Sequence, residues 1–464
     1  MSLILTADVG STFTKLTAVD LAERRIIGSA KAFTTIETRV LDGFEAALRE
    51  LKSRFGEMKF ERTVAASSAA GGLKMVSVGL VPDLTVQAAR LAAANAGAKI
   101  LKAYSYELSH SEVEEIVALG PDMVLLSGGA DGGNKAVIIH NAKALAVSGL
   151  SCSMVVAGNK SAVDEVKNAL SDYPGEVIFC ANVMPEVNQL NIVPAQKAIR
   201  DLFIRHIISA KGLNELQAIL AGEIVPTPLA VFEAASLLAK GAKGNPGLGD
   251  LLVFDVGGAT TDVYSMSDGL PTKTNVFMTG LRQPWAKRTV EGDLGLRYSL
   301  GPLAEAAGLE ETAASLGLEC EKVTDWLEVC RLTPEVLPAT GTTEREIDEF
   351  LASEAVRLSL ARHVGFVETV FTVQGQAFAQ TGKDLSSTGL VIGTGGPIIN
   401  SQNPARVLAG AIWKPSDVNL LKPLSPKLAV DHKYIMSAMG LLSRLDPEAA
   451  LAILKEEITA GTVE

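Results

Sequence analysis

The sequence predicts an α/β protein built from two homologous halves, the first of which carries an inserted α/β domain. Two observations predict it. A strand that ends in an acid and a glycine turn occurs twice, as "LILTADVGSTFTKLTAV" (Leu3 to Val19) and "LLVFDVGGATTDVYSM" (Leu251 to Met266). Between them, from about 61 to 220, apolar strands alternate with amphipathic helices, the pattern of a parallel sheet flanked by helices. The chain has 464 residues, room for about three domains.

Each half opens on a buried-type apolar run, then a turn, then a second strand ("KLTAVDL" and "TDVYSMS"). Third strands are expected at "RRIIGSAKAF" and "PTKTNVFM". In register, Asp8-Val9-Gly10 lies over Asp255-Val256-Gly257, and Ser11 and Thr12 lie over Gly258 and Ala259. Thr14 then falls on Thr261, and Lys15 on Asp262. One such turn alone is an ordinary corner. Its recurrence, with Thr and a charge at equivalent places, points to phosphate binding. Glycine lets backbone N–H groups approach an anion, hydroxyls add donors, and a lysine offers a point charge. The acids suit Mg²⁺, which keeps much of its water and takes only one or two carboxylates. The candidate binding residues are therefore Gly10, Ser11, Thr12, Thr14 and Lys15, with Gly257, Gly258, Thr260 and Thr261.

This pattern resembles the actin-like ATPase superfamily, which holds sugar and acetate kinases, heat-shock chaperones and actin. The resemblance implies two ATPase domains facing across a nucleotide cleft. Asp8 and Asp255 would order the water shell of Mg²⁺, and Asp262 would support that shell or orient the attacking water. It also implies an adenosine motif, matched by "LVIGTGGP" with Gly393, Gly395 and Gly396. A connecting helix is expected at Val225–Gly241, and a last small-residue helix at Tyr434–Leu445. The chain then divides into 1–60 and 221–248 for the first domain, with 61–220 inserted. The second domain spans 249–430, and connecting helices 431–464. One departure stands out: Val225 occupies the place where the chaperones carry a Glu, with Glu223 and Glu233 as the nearby acids.

The whole-chain layout is similar to that of the glutamate mutase accessory protein family, also called MutL and distinct from the mismatch-repair protein of that short name. The resemblance implies an ATP-hydrolysing reactivating chaperone whose protein partner is an adenosylcobalamin-dependent mutase, chiefly methylaspartate (glutamate) mutase. ATP or ADP and Mg²⁺ are the implied cofactors. Cobalamin is expected on the partner, since the chain has no DxHxxG-type motif. A small-molecule kinase on the same scaffold is the alternative.

The formal net charge of −11 and the lack of a basic run oppose nucleic-acid and anionic-membrane partners. No apolar run reaches the roughly 20 residues of a membrane span. Cys152, Cys180, Cys320 and Cys330 form no CxxC pair, which suggests a reducing, cytoplasmic setting. In the insert, helices are expected at Ser111–Leu119, Lys135–Val147, Ser161–Leu170 and along "AQKAIRDLFIRHIISA". "LLSGGADGGN" (Leu125 to Asn134) follows a strand and enters a helix; it serves either a second ligand or close backbone packing. "AASSAAGGLKM" carries the same two readings. In the second half, Asp293 and Arg297 are spaced for one helical turn, and a core helix is expected over Glu346–Phe371.

Overall fold

The computed structural model describes all residues except 1, 11–12, 35–38, 69–72, 95–97, 211–213, 221, 223, 374 and 464. It comprises two units: Met1–Phe232 with Gly440–Leu445, and Glu233–Met439 with Asp446–Glu464. Among the described residues, no helix is long and apolar enough to cross a membrane.

In the first unit, Leu3–Val9 is wholly buried and forms the middle of a five-stranded sheet. The order runs Val225–Pro226, Arg62–Ser67, Leu3–Val9, Phe13–Asp20, Arg25–Phe33. Burial on both faces explains the continuous apolar run. Leu5, Ala7 and Val9 pack on one face with Leu16, Ala18 and the helix Val40–Phe55. The third strand falls where "RRIIGSAKAF" placed it. Arg62–Ser67 does not open the insert: it pairs in parallel with Leu3–Val9, so the insert begins after Ser67.

The insert holds a second five-stranded sheet, all parallel, in the order Ala98–Ser105, Leu73–Gly79, Met123–Leu126, Ser153–Val156, Val177–Phe179. Counting strands within the insert, this is the doubly wound order 2-1-3-4-5. Its helices include Pro82–Ala94, which the sequence reading does not name, and His110–Leu119, Ala136–Ala146, Val163–Ala169 and Val193–Ala210, close to the sequence expectation. Ser109 and Glu112 close a reciprocal capping box at the start of His110–Leu119. Leu73, Met75, Met123 and Leu125 belong to the same buried cluster as Leu5 and Val9, so the insert shares a core with the first sheet. Val76, Val78, Val124 and Leu126 face a separate cluster on the other side.

The second unit repeats the first sheet's order. Ala286–Glu291, Thr261–Met266, Leu251–Val256, Leu390–Thr394 and Lys427–Val430 stand side by side, and Thr462–Val463 adds an edge. Three expectations are corrected. The third strand is Ala286–Glu291; Val276–Thr279, inside "PTKTNVFM", pairs instead with Gly375–Thr381 in a separate sheet. The core helix spans Thr343–His363 and does not reach Phe371. The chain turns at Gly365, where a Cβ would meet the Thr381 carbonyl at 2.5 Å, and the β-branched run that follows forms the strand Phe366–Thr372. Asp293 and Arg297 lie on no helix, because glycines at 292 and 295 interrupt the backbone there. Asp293 pairs with Arg362 and Arg297 with Asp348.

Candidate functional site

The two hairpins have the same internal geometry. In the first, Asp8 stands opposite Lys15 and Val9 opposite Thr14; in the second, Asp255 stands opposite Asp262 and Val256 opposite Thr261. Each turn closes with the glycine N–H donating to the carbonyl three residues on, Gly10 to Phe13 at 3.0 Å and Gly257 to Thr260 at 2.9 Å. Residues directly opposite on paired strands share a face. Asp8 and Lys15 therefore share one face, and so do Asp255 and Asp262. Ser11 and Thr12 lie outside the described residues.

Strand alternation sends the two threonines the other way. Thr14 is fully buried and shares a 3.0 Å hydroxyl contact with Thr34. Thr261 is fully buried and donates to the Leu294 carbonyl at 2.6 Å. Both sit on the core face of their strands, opposite the acids. Thr260, in the turn itself, is half-buried and reaches Asp262 Oδ2 at 3.4 Å.

Asp8 is 8% exposed, and its Oδ1 accepts a 2.7 Å hydrogen bond from Thr227 Oγ1. Thr227 is the first residue of the helix Thr227–Lys240, directly after Val225–Pro226. The sequence gives a weak signal for this contact, because a threonine at a helix start reads as a cap. Val225 is buried, Glu223 lies outside the described residues, and Glu233 is half-buried along the helix.

In the second unit Asp255 is half-buried, whereas Asp262 is 8% exposed and tied to Arg288. Arg288 Nε and Nη2 reach Asp262 Oδ1 at 2.8 and 2.5 Å. Arg288 is 5% exposed and its Nη1 is buried without a hydrogen-bond partner. Burial works most strongly against the guanidinium charge, but Asp262 and Tyr264 together outweigh it and the pKa lies above the ordinary arginine value. Burial and then Asp262 push the neighbouring Tyr264 hydroxyl well up, so it stays protonated. Arg288 escapes sequence reasoning, because "AKRTVE" reads as a charged surface strand.

A segment after the third strand braces the second turn. Gly258 accepts from the N–H groups of Arg297 and Tyr298 at 2.8 Å each, and Ser299 Oγ donates to the Ala259 carbonyl at 2.8 Å. Gly258 and Gly257 are themselves half-buried.

The three adenosine-motif glycines differ. A Cβ on Gly393 would sit 2.7 Å from Ile398 and 2.8 Å from Leu408, so its bareness serves core packing. Gly395 has φ +91°, and a Cβ there would meet the Val256 carbonyl at 2.2 Å and Asp255 Oδ1 at 2.8 Å. Only Gly396 is exposed, with nothing nearer than 3.9 Å. Asp431, also missed from sequence, accepts from Thr394 Oγ1 at 3.2 Å and from the N–H groups of Ile435 and Met436 at 2.8 and 3.1 Å. It joins the end of that strand to the start of the helix Met436–Ser443.

Among the described residues no three His, Cys, Asp or Glu side chains gather into a metal-ligand group. Asp255 fits the single carboxylate that Mg²⁺ takes when phosphate oxygens and water complete its shell.

A model of the MutL protein family matches residues 4–458. A protein named Protein MutL, from Clostridium tetanomorphum, is 45% identical over 460 residues, 98% of this chain and 99% of its own. Among solved structures, nucleotide-free acetone carboxylase gives a TM-score of 0.45 at 14% identity, over 95% of this chain and 70% of its own. Nucleotide-free diol dehydratase-reactivating factor gives 0.37 at 12% identity, over 96% and 100%.

Proposed function

This chain belongs to the MutL protein family, and on that premise we propose that it is an ATP-binding accessory protein that reactivates an adenosylcobalamin-dependent mutase, methylaspartate (glutamate) mutase in the first instance. One observation carries the nucleotide part: two hairpins of identical register, each ending a buried strand on an acid followed by a glycine turn. The family supplies the mutase part.

In this reading Gly10, Lys15, Gly257, Gly258 and Thr260 contribute to holding the phosphates, together with Ser11 and Thr12. Thr14 and Thr261 act from beneath, fixing the strands. The exposed Gly396 is the glycine that meets the nucleoside. Mg²⁺, when bound with ATP, neutralises charge on the phosphates. Asp8 and Asp255 order the water around it, Asp8 oriented by Thr227. Asp262 supports that water with Oδ2, its Oδ1 being held by Arg288. Hydrolysis is then positioning and charge stabilisation, with no covalent intermediate on the protein. A cytoplasmic setting and a mutase protein partner belong to the same proposal.

Time-resolved phosphate release tests it. Asp8→Ala and Asp255→Ala are each expected to slow ATP turnover on the order of 100-fold. Full turnover in both variants removes the proposal. Recovery of a cobalamin mutase from the source cell in ATP or in ADP, but not in both, supports the partner. Phosphate transfer to a metabolite, with no protein partner needed, favours the kinase reading.

A further inference from the structure

The insert contains a cavity that the nucleotide reading does not use. Its volume is about 150 Å³, and its walls include Leu80, Ala88, Val183 and Met184 together with the backbone of Gly128 to Ala130. Its position follows from topology. Leu73–Gly79 and Met123–Leu126 are the first and third strands of the insert, adjacent in the sheet because the second strand lies on the far side of the first. In open doubly wound sheets, ligands bind beyond the carboxyl ends of the strands at this point, where the order reverses. Leu80 and Val81 leave the first strand there, and Ser127 to Ala130 leave the third.

The chemistry of the walls is divided. Apart from Ser127 and Asn182 the side chains are apolar, and an apolar cavity of this volume is enough for a benzene ring. The backbone is not apolar. The N–H groups of Leu80, Gly128, Gly129 and Ala130 find no acceptor among the described residues. Gly128 and Gly129 have φ +136° and +74°, and successive N–H groups in such a turn form a concavity that suits an anion.

The turn is held open from behind. Asn159, 1% exposed, accepts from Gly132 N–H at 3.1 Å and donates to the carbonyls of Gly133 and Asn134 at 3.1 and 3.0 Å. Asn182, 4% exposed, donates to the Gly129 carbonyl at 3.0 Å and to Asp131 Oδ1 at 2.9 Å. Two buried amides thus engage the loop's carbonyls, Asn182 from the cavity wall itself, while the neighbouring N–H groups of Gly128 to Ala130 stay unpaired among the described residues. A Cβ on Gly129 would lie 2.1 Å from the Asn134 carbonyl, so glycine is required by this close turn.

We propose that the insert is a second ligand-binding domain, and that this crevice takes a small aromatic or heteroaromatic ring linked to a phosphate. The ring occupies the apolar walls and the phosphate the free N–H groups of the Leu80 and Gly128–Ala130 turns. The site is independent of the hairpins.

Phenyl phosphate is the probe, with inorganic phosphate and phenol as the two half-ligands. Binding to the full chain is followed by titration calorimetry and ligand-observed NMR, with Mg²⁺–ATP saturating throughout. Phenyl phosphate is expected to bind at least about tenfold more tightly than either half. Val81→Glu, at a 40% exposed position on the rim, sets a carboxylate against the phosphate and is expected to weaken binding about tenfold without lowering the melting temperature. Val187→Glu, at a 71% exposed rim position, is the second variant if the first fails to fold. Asp8→Ala and Asp255→Ala should leave phenyl phosphate binding intact, which separates this proposal from the nucleotide one. Equal affinity for phosphate and phenyl phosphate, or undiminished binding in a folded rim variant, overturns it.

Discussion

The first and second Asp-Val-Gly hairpins share a register, a turn bond and a place in the sheet, yet the two halves hold their acids by different means. Asp8 receives a neutral hydroxyl from the helix that follows the fifth strand of its sheet. In the second half the charge opposite Asp255 is a second acid, and the neighbouring strand supplies a buried arginine to neutralise it. The strand next to each acid differs too. Ser67 stays paired with Val9 and bonds its carbonyl at 3.1 Å, whereas Gly395, one residue past the partner of Asp255, leaves the strand at φ +91° and lies against that carboxylate. A shared backbone plan therefore fixes where the acids stand, but not how they are charged or braced.

Arg288→Ala probes the largest of these differences. It leaves Asp262 buried without its cation, a loss of about 3–5 kcal/mol, read as a lowered melting transition of the second unit. Adding Asp262→Asn should recover much of it. Lys15, the half-buried residue at the matching register, should tolerate Ala with far less change; equal losses would erase the contrast. Thr227→Val removes the hydroxyl on Asp8 and is expected to cost about 1.5–3 kcal/mol, the range for hydrogen bonds to charged groups. The same change at Thr260, whose contact to Asp262 is 3.4 Å, should cost little.

Gly395→Ser, which installs the first half's residue in the second, is expected to cost about 1–3 kcal/mol from its backbone conformation alone, with further loss from the close Val256 carbonyl. The reciprocal Ser67→Gly should be milder. Denaturant midpoints compare the two.

A further contrast is a pH slope from the second unit alone. His363 is fully buried between Ser265 Oγ and Thr289 Oγ1, each at 2.8 Å. Burial, then Lys287 and Lys383, hold its pKa well below the ordinary histidine value. Burial, then Lys287, lowers Lys383 to about 7, against partial support from Asp250 and Asp268. In both cases the unfolded chain binds the proton more tightly. Stability linked to Lys383 is complete above its unfolded value of 10.5 and declines as pH falls toward 7. Stability linked to His363 is complete above 6.5 and declines below it. Lys383→Met should flatten the alkaline part of that slope and raise the melting temperature at pH 7. Unchanged melting across pH 7 to 10 would contradict the Lys383 shift, and unchanged melting below pH 6.5 the His363 shift.

The hairpins were legible because their information is local: an apolar run, an acid, a glycine turn and a second strand within 17 residues of sequence. The register of Lys15 against Asp262 follows from that alone. From Ala98 onward the insert was legible for the same reason, through alternating strand and helix periods, whereas its first strand Leu73–Gly79 and the helix Pro82–Ala94 were not. What escaped was long-range or disguised. Arg62–Ser67 reads like any strand, and only its parallel pairing with Leu3–Val9 assigns it to the first sheet. Ala286–Glu291 carries Lys287 and Arg288, which look solvated until Asp262 and the His363 carbonyl are seen to take them in. The helix overshoot past His363 came from treating a β-branched run as helical face. Strand alternation also explains why Thr14 and Thr261, expected among the phosphate ligands, lie on the core side.

The insert leaves the first sheet at Ser67 and returns at Val225, two positions that are next-door neighbours, since Val225 pairs with Ala66 and Pro226 with Ser67. The return path is short: Val225, Pro226, then Thr227 with its hydroxyl on Asp8. A whole domain is thus looped out of the chain and sewn back one residue before the contact that orients the first acid. The cut and the seam thus lie side by side on one sheet edge, and the seam hands the chain straight to the hydroxyl that holds the carboxylate.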